Sequence, residues 1–173
     1  MKPEFEIGNH RAEAFETVES FLNAKTFRIA STALDKPWGG FYVLDEKDAA
    51  PFAEYFFSAD AESMLTRGGK LSPKILVVAP TMRLSWQYHF RRAEIWKLIA
   101  GAGGVAISDT DIESEPREIN MGEIIRLKVR ERHRLVGLND RWGAVAEIWQ
   151  HTDPNHPSDE NDIVRLQDDF LRT

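Results

Sequence analysis

The stretch Leu84-Ser85-Trp86-Gln87-Tyr88-His89-Phe90-Arg91 alternates apolar and polar residues. Successive side chains of a β-strand point to opposite faces. Leu84, Trp86, Tyr88 and Phe90 therefore share an apolar face that must be packed, and Ser85, Gln87, His89 and Arg91 share the other. That second face carries a carboxamide and an imidazole on neighbouring same-face positions, both able to ligate a metal. The chain continues Arg92-Ala93-Glu94-Ile95-Trp96, so Glu94 adds a carboxylate just past an expected turn, and Gly101 follows. A second imidazole, His133, lies in the later stretch Glu131-Arg132-His133-Arg134-Leu135. Imidazole, carboxylate and amide donors with open positions suit a divalent first-row metal. Either histidine alone reads as an ordinary structural residue; the spaced set favours a metal.

The rest of the chain supplies a β framework with helical additions. Residues 10–24 carry Phe15, Val18, Phe21 and Leu22 at helical spacing, with Asn9 as the expected N-cap. A second helical pattern runs over 47–65 through Ala49, Phe52, Phe56, Ala61 and Met64. Pro37-Trp38-Gly39-Gly40 reads as a loop before a strand at Phe41–Leu44, the tryptophan closing a barrel end or bordering a sugar site. Short strands are expected at 75–79, 96–100, 104–107, 118–120, 124–129 and 144–149, with Gly101-Ala102-Gly103 as a hairpin turn. Many short strands at this spacing indicate an all-β sandwich or barrel. The polar tail from His151 to Asp162 reads as irregular, with Asp162 capping a last helical turn over 163–170. Its two histidines and several carboxylates are explained by a solvated loop as well as by a second metal cluster.

Composition narrows the function classes. The chain of 173 residues has a net charge of -6, which argues against a nucleic-acid surface. It has no cysteine, so neither disulfides nor thiolate sites arise. No apolar run approaches the ~20 residues of a membrane span, and Met1-Lys2-Pro3-Glu4-Phe5-Glu6 does not open a signal peptide. The expectation is a cytoplasmic protein with no membrane partner.

The pattern Gln87-x-His89-x4-Glu94-x6-Gly101 resembles the first cupin motif, with Gln in place of its first His. From Lys36 onward the chain also resembles type II phosphomannose isomerases, the C-terminal domain of bifunctional mannose-1-phosphate guanylyltransferases. The matching stretches are Pro37-Trp38-Gly39-Gly40-Phe41; Val78-Ala79-Pro80 with Leu84 to Trp96; His133-Arg134-Leu135; and Glu160 to Arg165 with Asp168, Phe170 and Arg172. The resemblance implies a mainly β fold: a cupin jelly-roll β-barrel over 36–173, with an N-terminal α-helical extension over 1–35. It implies one divalent metal inside the barrel, zinc first, with manganese, nickel or iron as the others. The implied ligands are Gln87, His89, Glu94 and His133. Arg92 matches an arginine that the family uses for the sugar phosphate or for catalysis, and Lys74 and Arg165 match basic positions near its site.

The departures are as informative. Two family histidines are replaced by Phe90, expected on the packing face, and Arg91, expected on the ligand face, where it reshapes the pocket or adds a phosphate contact. Lys128 and Arg130 stand where the family has Pro and Gly. The implied activity is aldose–ketose isomerisation of a sugar phosphate, mannose 6-phosphate being the family default. Glu94 would serve as ligand and possible base, and Arg92, Lys74, Arg91 and Arg165 would meet the substrate. A non-catalytic sugar-phosphate binder and a metal-dependent oxygenase are the alternatives. Strand edges of a jelly roll lead to the expectation of a homodimer.

Overall fold

The computed structural model describes residues 1–171. Its strands are β1 (Ile29–Lys36), β2 (Gly39–Leu44), β3 (Lys74–Val78), β4 (Trp86–Tyr88), β5 (Arg92–Gly101), β6 (Gly104–Ser108), β7 (Arg117–Glu118), β8 (Ile124–Leu127), β9 (Arg132–Val136), β10 (Gly143–His151) and β11 (Val164–Gln167). They form one antiparallel sheet in the order β1-β2-β3-β10-β5-β8 and a second in the order β11-β4-β9-β6-β7. The helices are α1 (Arg11–Ala24), α2 (Ala49–Phe56) and α3 (Ser58–Arg67).

The six-stranded sheet is covered on both faces, and strand alternation assigns its residues. Ile75 and Val77 of β3, Ile95 and Ile99 of β5, and Ala144, Ala146 and Ile148 of β10 pack with helical Phe15, Phe21, Phe52 and Phe56 in one apolar cluster. The intervening Leu76, Val78, Trp96, Leu98 and Val145 form a second cluster with Val105 and Leu135 of the other sheet. A sheet buried on both sides reads as nearly continuous apolar runs, so a charge inside such a strand stands out. The expected extension joins this body directly: α1 contributes to the first cluster and β1 pairs along β2.

Four local expectations are corrected. The cap of α1 is His10, whose amide meets the Glu13 carboxylate at 3.4 Å, and Asn9 lies outside it. Gly101-Ala102-Gly103 is no hairpin turn, because β5 belongs to the first sheet and β6 to the second. The segment is a corner between layers: Gly101 has φ +71°, and a Cβ there would sit 1.8 Å from the Trp142 carbonyl oxygen. The expected strand through Arg91 ends at Tyr88, because the Phe90 and Arg91 amides donate to the Asp162 carboxylate at 3.0 and 2.9 Å instead of to a strand. Phe90 is consequently 46% exposed, off the packing face. The tail does not close as a helix. Residues 164–167 form β11, which satisfies the open edge of β4, and Asp162 caps the turn at 89–91 in place of a helix. Arg172 lies outside the described residues.

Candidate metal centre

Three strands deliver charge to the interior face at one end of the sandwich. Alternation that sends Leu76 and Val78 inward sends Lys74 inward too; it does the same for Arg92 and Glu94 ahead of Trp96, and for Glu147 and Trp149 beyond Val145. From the opposite sheet, Gln87 of β4 pairs directly with His133 of β9, and His89 follows at the end of β4. These residues are distant in sequence and meet because antiparallel pairing places them there.

His89, Glu94 and His133 are 2%, 3% and 1% exposed, and one potential ligand atom from each lies within 4.8 Å of the others. His89 Nδ1 donates to the Asp162 carbonyl oxygen at 2.6 Å, and His133 Nδ1 donates to that of Glu131 at 2.9 Å. Backbone partners of this kind fix the tautomer and present Nε2 as a lone pair. His89 Nε2 lies 3.2 Å from Glu94 Oε1, and His133 Nε2 lies 3.3 Å from Glu94 Oε2. Glu94 Oε2 and His133 Nε2 are both buried without a hydrogen-bond partner. Two acceptors facing each other in a dry interior are costly, and a cation between them removes the cost. The donor set therefore fits a divalent metal. Burial, together with Arg92 and His133, holds the His89 imidazolium down to about 3, so the ring is neutral and ligand-competent.

Gln87 sits beside this set differently from expectation. Its Oε1 accepts from Ser85 Oγ at 2.6 Å, and its Nε2 faces His89 Nε2 at 3.4 Å. The structure thus brings three expected ligands together and turns the amide oxygen of the fourth to Ser85. Arg92 is likewise more committed than a phosphate clamp requires. It donates from Nε to Glu94, from Nη1 to Ser158 Oγ and the Asp159 oxygen, and from Nη2 to His89 Nε2 at 3.2 Å. Its guanidinium lies 3.5 Å over Trp149. This geometry makes it a residue that positions Glu94.

A cavity of about 280 Å³ opens beside the set, lined by Trp38, Lys74, Glu94, Glu147, Trp149 and Arg165 among others. Lys74 and Arg165 thus line the same cavity as Glu94. Lys74 is buried, ion-paired to Glu160 and 3.5 Å over Trp149. Arg91 does not line the cavity: its guanidinium holds the tail at the Pro157 oxygen (3.1 Å) and Asp159 (3.3 Å). The turn at 89–91 rotates it off the ligand face. The indole N–H groups of Trp38 and Trp149, which also line the cavity, are buried without partners.

Sequence reading missed Glu147. The signal was a lone acidic residue in Gly143-Ala144-Val145-Ala146-Glu147-Ile148-Trp149, a strand otherwise apolar. In the tail, His151 Nδ1 accepts from the Ser158 amide at 2.8 Å, so its Nε2–H donates to Ser72 Oγ at 3.1 Å. That proton arrangement is the reverse of what would activate a serine, and among the described residues the tail histidines join no metal-like group.

The family model described as "Mannose-6-phosphate isomerase C-terminal" matches residues 45–168. No curated protein sequence matches the chain. Among solved structures, the capsular polysaccharide assembling protein CapF of Staphylococcus aureus is similar with a TM-score of 0.55 at 15% identity, over 90% of this chain and 40% of that one. A mutant of Bacillus subtilis oxalate decarboxylase OxdC gives 0.55 at 15% identity, over 79% and 30%. Vicilin of Solanum lycopersicum (tomato) gives 0.52 at 18%, over 78% and 34%. The chain thus spans 40% or less of the length of each, and at these identities what is shared is the fold, a cupin jelly roll. By the match over residues 45–168, this chain belongs to the mannose-6-phosphate isomerase C-terminal family of cupins.

Proposed function

We propose that the chain is a metal-dependent aldose–ketose isomerase acting on a sugar phosphate of the mannose 6-phosphate type. The observation that carries this reading is the buried His89–Glu94–His133 acceptor set on a cavity that also holds the cations Lys74 and Arg165. A neutral sugar would not call for those cations, and a phosphate would.

A divalent metal held by His89, Glu94 and His133, zinc first, supplies Lewis-acid polarisation of the substrate oxygens when bound. The chain's own residues do the rest. Lys74 and Arg165 receive the phosphate, Lys74 exchanging its Glu160 partner for it. The unpartnered indole N–H groups of Trp38 and Trp149 are donors for sugar oxygens. Arg92 holds Glu94 in its ligating orientation, and the aromatic walls exclude water from the reacting carbons.

The test is turnover followed by NMR. Protein stripped of metal and reloaded with zinc, manganese, nickel or ferrous iron is offered mannose 6-phosphate and fructose 6-phosphate, with His133→Ala as control. Interconversion that depends on metal and vanishes in the control is the expected result. Binding without turnover would leave a sugar-phosphate binder, and oxygen uptake with ferrous iron would leave an oxygenase. A homodimer through exposed strand edges belongs to the same reading and is measured by light scattering.

A further inference from the structure

Two buried carboxylates line the cavity, and they are differently placed. Glu94 is spent. Its Oε1 accepts from Arg92 Nε at 2.7 Å and lies 3.2 Å from His89 Nε2, and its Oε2 faces His133 Nε2 at 3.3 Å. A carboxylate held this way is a poor proton acceptor.

Glu147 has the opposite setting. It stands on the interior face of β10, paired across the sheet with Lys74 on one side and Trp96 on the other. Trp96 Nε1–H donates to Oε1 at 2.9 Å and orients the group. The neighbouring cations are committed elsewhere, Lys74 to Glu160 and Arg92 to Glu94. A carboxyl with this support in a strand of Ala144, Val145, Ala146 and Ile148 costs stability, and a costly group facing a cavity points to function.

Resting on the isomerase reading above, we propose that Glu147 is the catalytic residue that carries the proton between C2 and C1 of the open-chain sugar phosphate. In the aldose-to-ketose direction, the C2–H bond breaks and its proton goes to the Glu147 carboxylate. The electron pair forms C1=C2, and the C1 carbonyl pair moves to O1, giving an enediolate. On collapse, the O2–H proton leaves and its pair forms C2=O. The C1=C2 pair then takes the proton back from Glu147 at C1, and O1 receives the proton released from O2. C2 is oxidised and C1 reduced within one molecule, so no external oxidant or reductant is needed. Burial, and then the Glu94 charge, push the Glu147 carboxyl up to about 8, near the range where one group both accepts and returns a proton.

The test is Glu147→Gln in the metal-loaded protein; glutamine keeps an oxygen for the Trp96 N–H. Expected are a loss of roughly 10³-fold in kcat, unchanged metal stoichiometry, near-unchanged binding of the sugar phosphate by calorimetry, and loss of solvent deuterium incorporation at C1 and C2. The metal-free wild type should also show a protonated-carboxyl infrared band at neutral pH that the variant lacks. Full turnover in the variant overturns the role of Glu147 and leaves the isomerase reading intact. Lost metal in the variant overturns it as well, by making Glu147 structural. A wild type inert toward every sugar phosphate with every metal removes the isomerase reading and this role with it. Should the glutamine variant fail to fold, Glu147→Asp serves: a moved carboxylate slows kcat without raising KM, and wild-type kcat there overturns the proposal.

Discussion

Arg92 Nε donates to Glu94 Oε1 at 2.7 Å from the adjacent same-face position of β5, with both side chains buried. Neither charge would be tolerable there alone. Together they form a pre-oriented carboxylate whose remaining contacts are the two histidines of the metal set. Arg92→Met strips the guanidinium from that carboxylate. It should cost about 3–5 kcal/mol, the range for breaking a buried pair from one side, read as a fall in the urea midpoint. Lysine should not restore stability, because one ammonium cannot reproduce a fork that reaches Glu94, Ser158 and His89 at once.

Metal should stabilise the fold through His133. At a metal concentration of 100 times Kd, linkage gives about 2.7 kcal/mol, seen as a higher Tm than in chelated protein. His133→Ala removes one imidazole of the set and should abolish that increment at the same concentration, with loss of stoichiometric metal after dialysis measured by atomic absorption.

Asp162 holds the turn that carries His89. Its carboxylate accepts from the Phe90 and Arg91 amides and from Ser158 Oγ at 2.6 Å. Asp162→Ala leaves these donors unmet and should cost about 3 kcal/mol, and it should weaken metal affinity. Burial raises the Asp162 pKa, but the bonds from Ser158, Phe90 and Arg91 outweigh it and leave a value below the ordinary one. The stability it contributes is thus present above the unfolded-state pKa and lost as pH falls through the folded one. The gap in denaturation free energy between wild type and variant should narrow in acid.

Glu147 has the reverse sign. With a folded pKa of about 8 against an ordinary 4.5, its protonated form is favoured in the native state. That contribution is complete below the unfolded value and lost as pH rises through the folded one, a swing on the order of 5 kcal/mol. In chelated protein, Glu147→Gln should flatten the decline of stability between those limits, followed by urea denaturation across pH.

Arg130 has a φ of 63°, in the left-handed region that glycine favours. Arg130→Gly relieves that strain while giving up a contact of the guanidinium 5.1 Å over Phe90. A gain of about 0.5–1 kcal/mol is expected, as a rise in Tm without change in metal stoichiometry.

Local pattern carried much of this molecule. The alternation through Trp86–Tyr88, the helical spacing of Phe15, Val18, Phe21 and Leu22, and the spacing of His89 and Glu94 survive into the structure because each depends on neighbours a few residues away. The places where reading failed depend on partners far along the chain. The open edge of β4 turned residues 164–167 into a strand, the Asp162 carboxylate ended the strand before Phe90, and assignment of β5 and β6 to different sheets made a corner of Gly101-Ala102-Gly103.

The sequence by itself determined the strand-rich framework, the cupin-type ligand spacing and the absence of cysteine chemistry, because periodicity and composition are local properties. Tertiary structure alone decided that the oxygen of Gln87 turns to Ser85, that Arg91 holds the tail, and that Glu147 lines the cavity with Trp96 holding it. A strand's period says which residues share a face; the pairing of distant strands decides which face is inside and what it meets there.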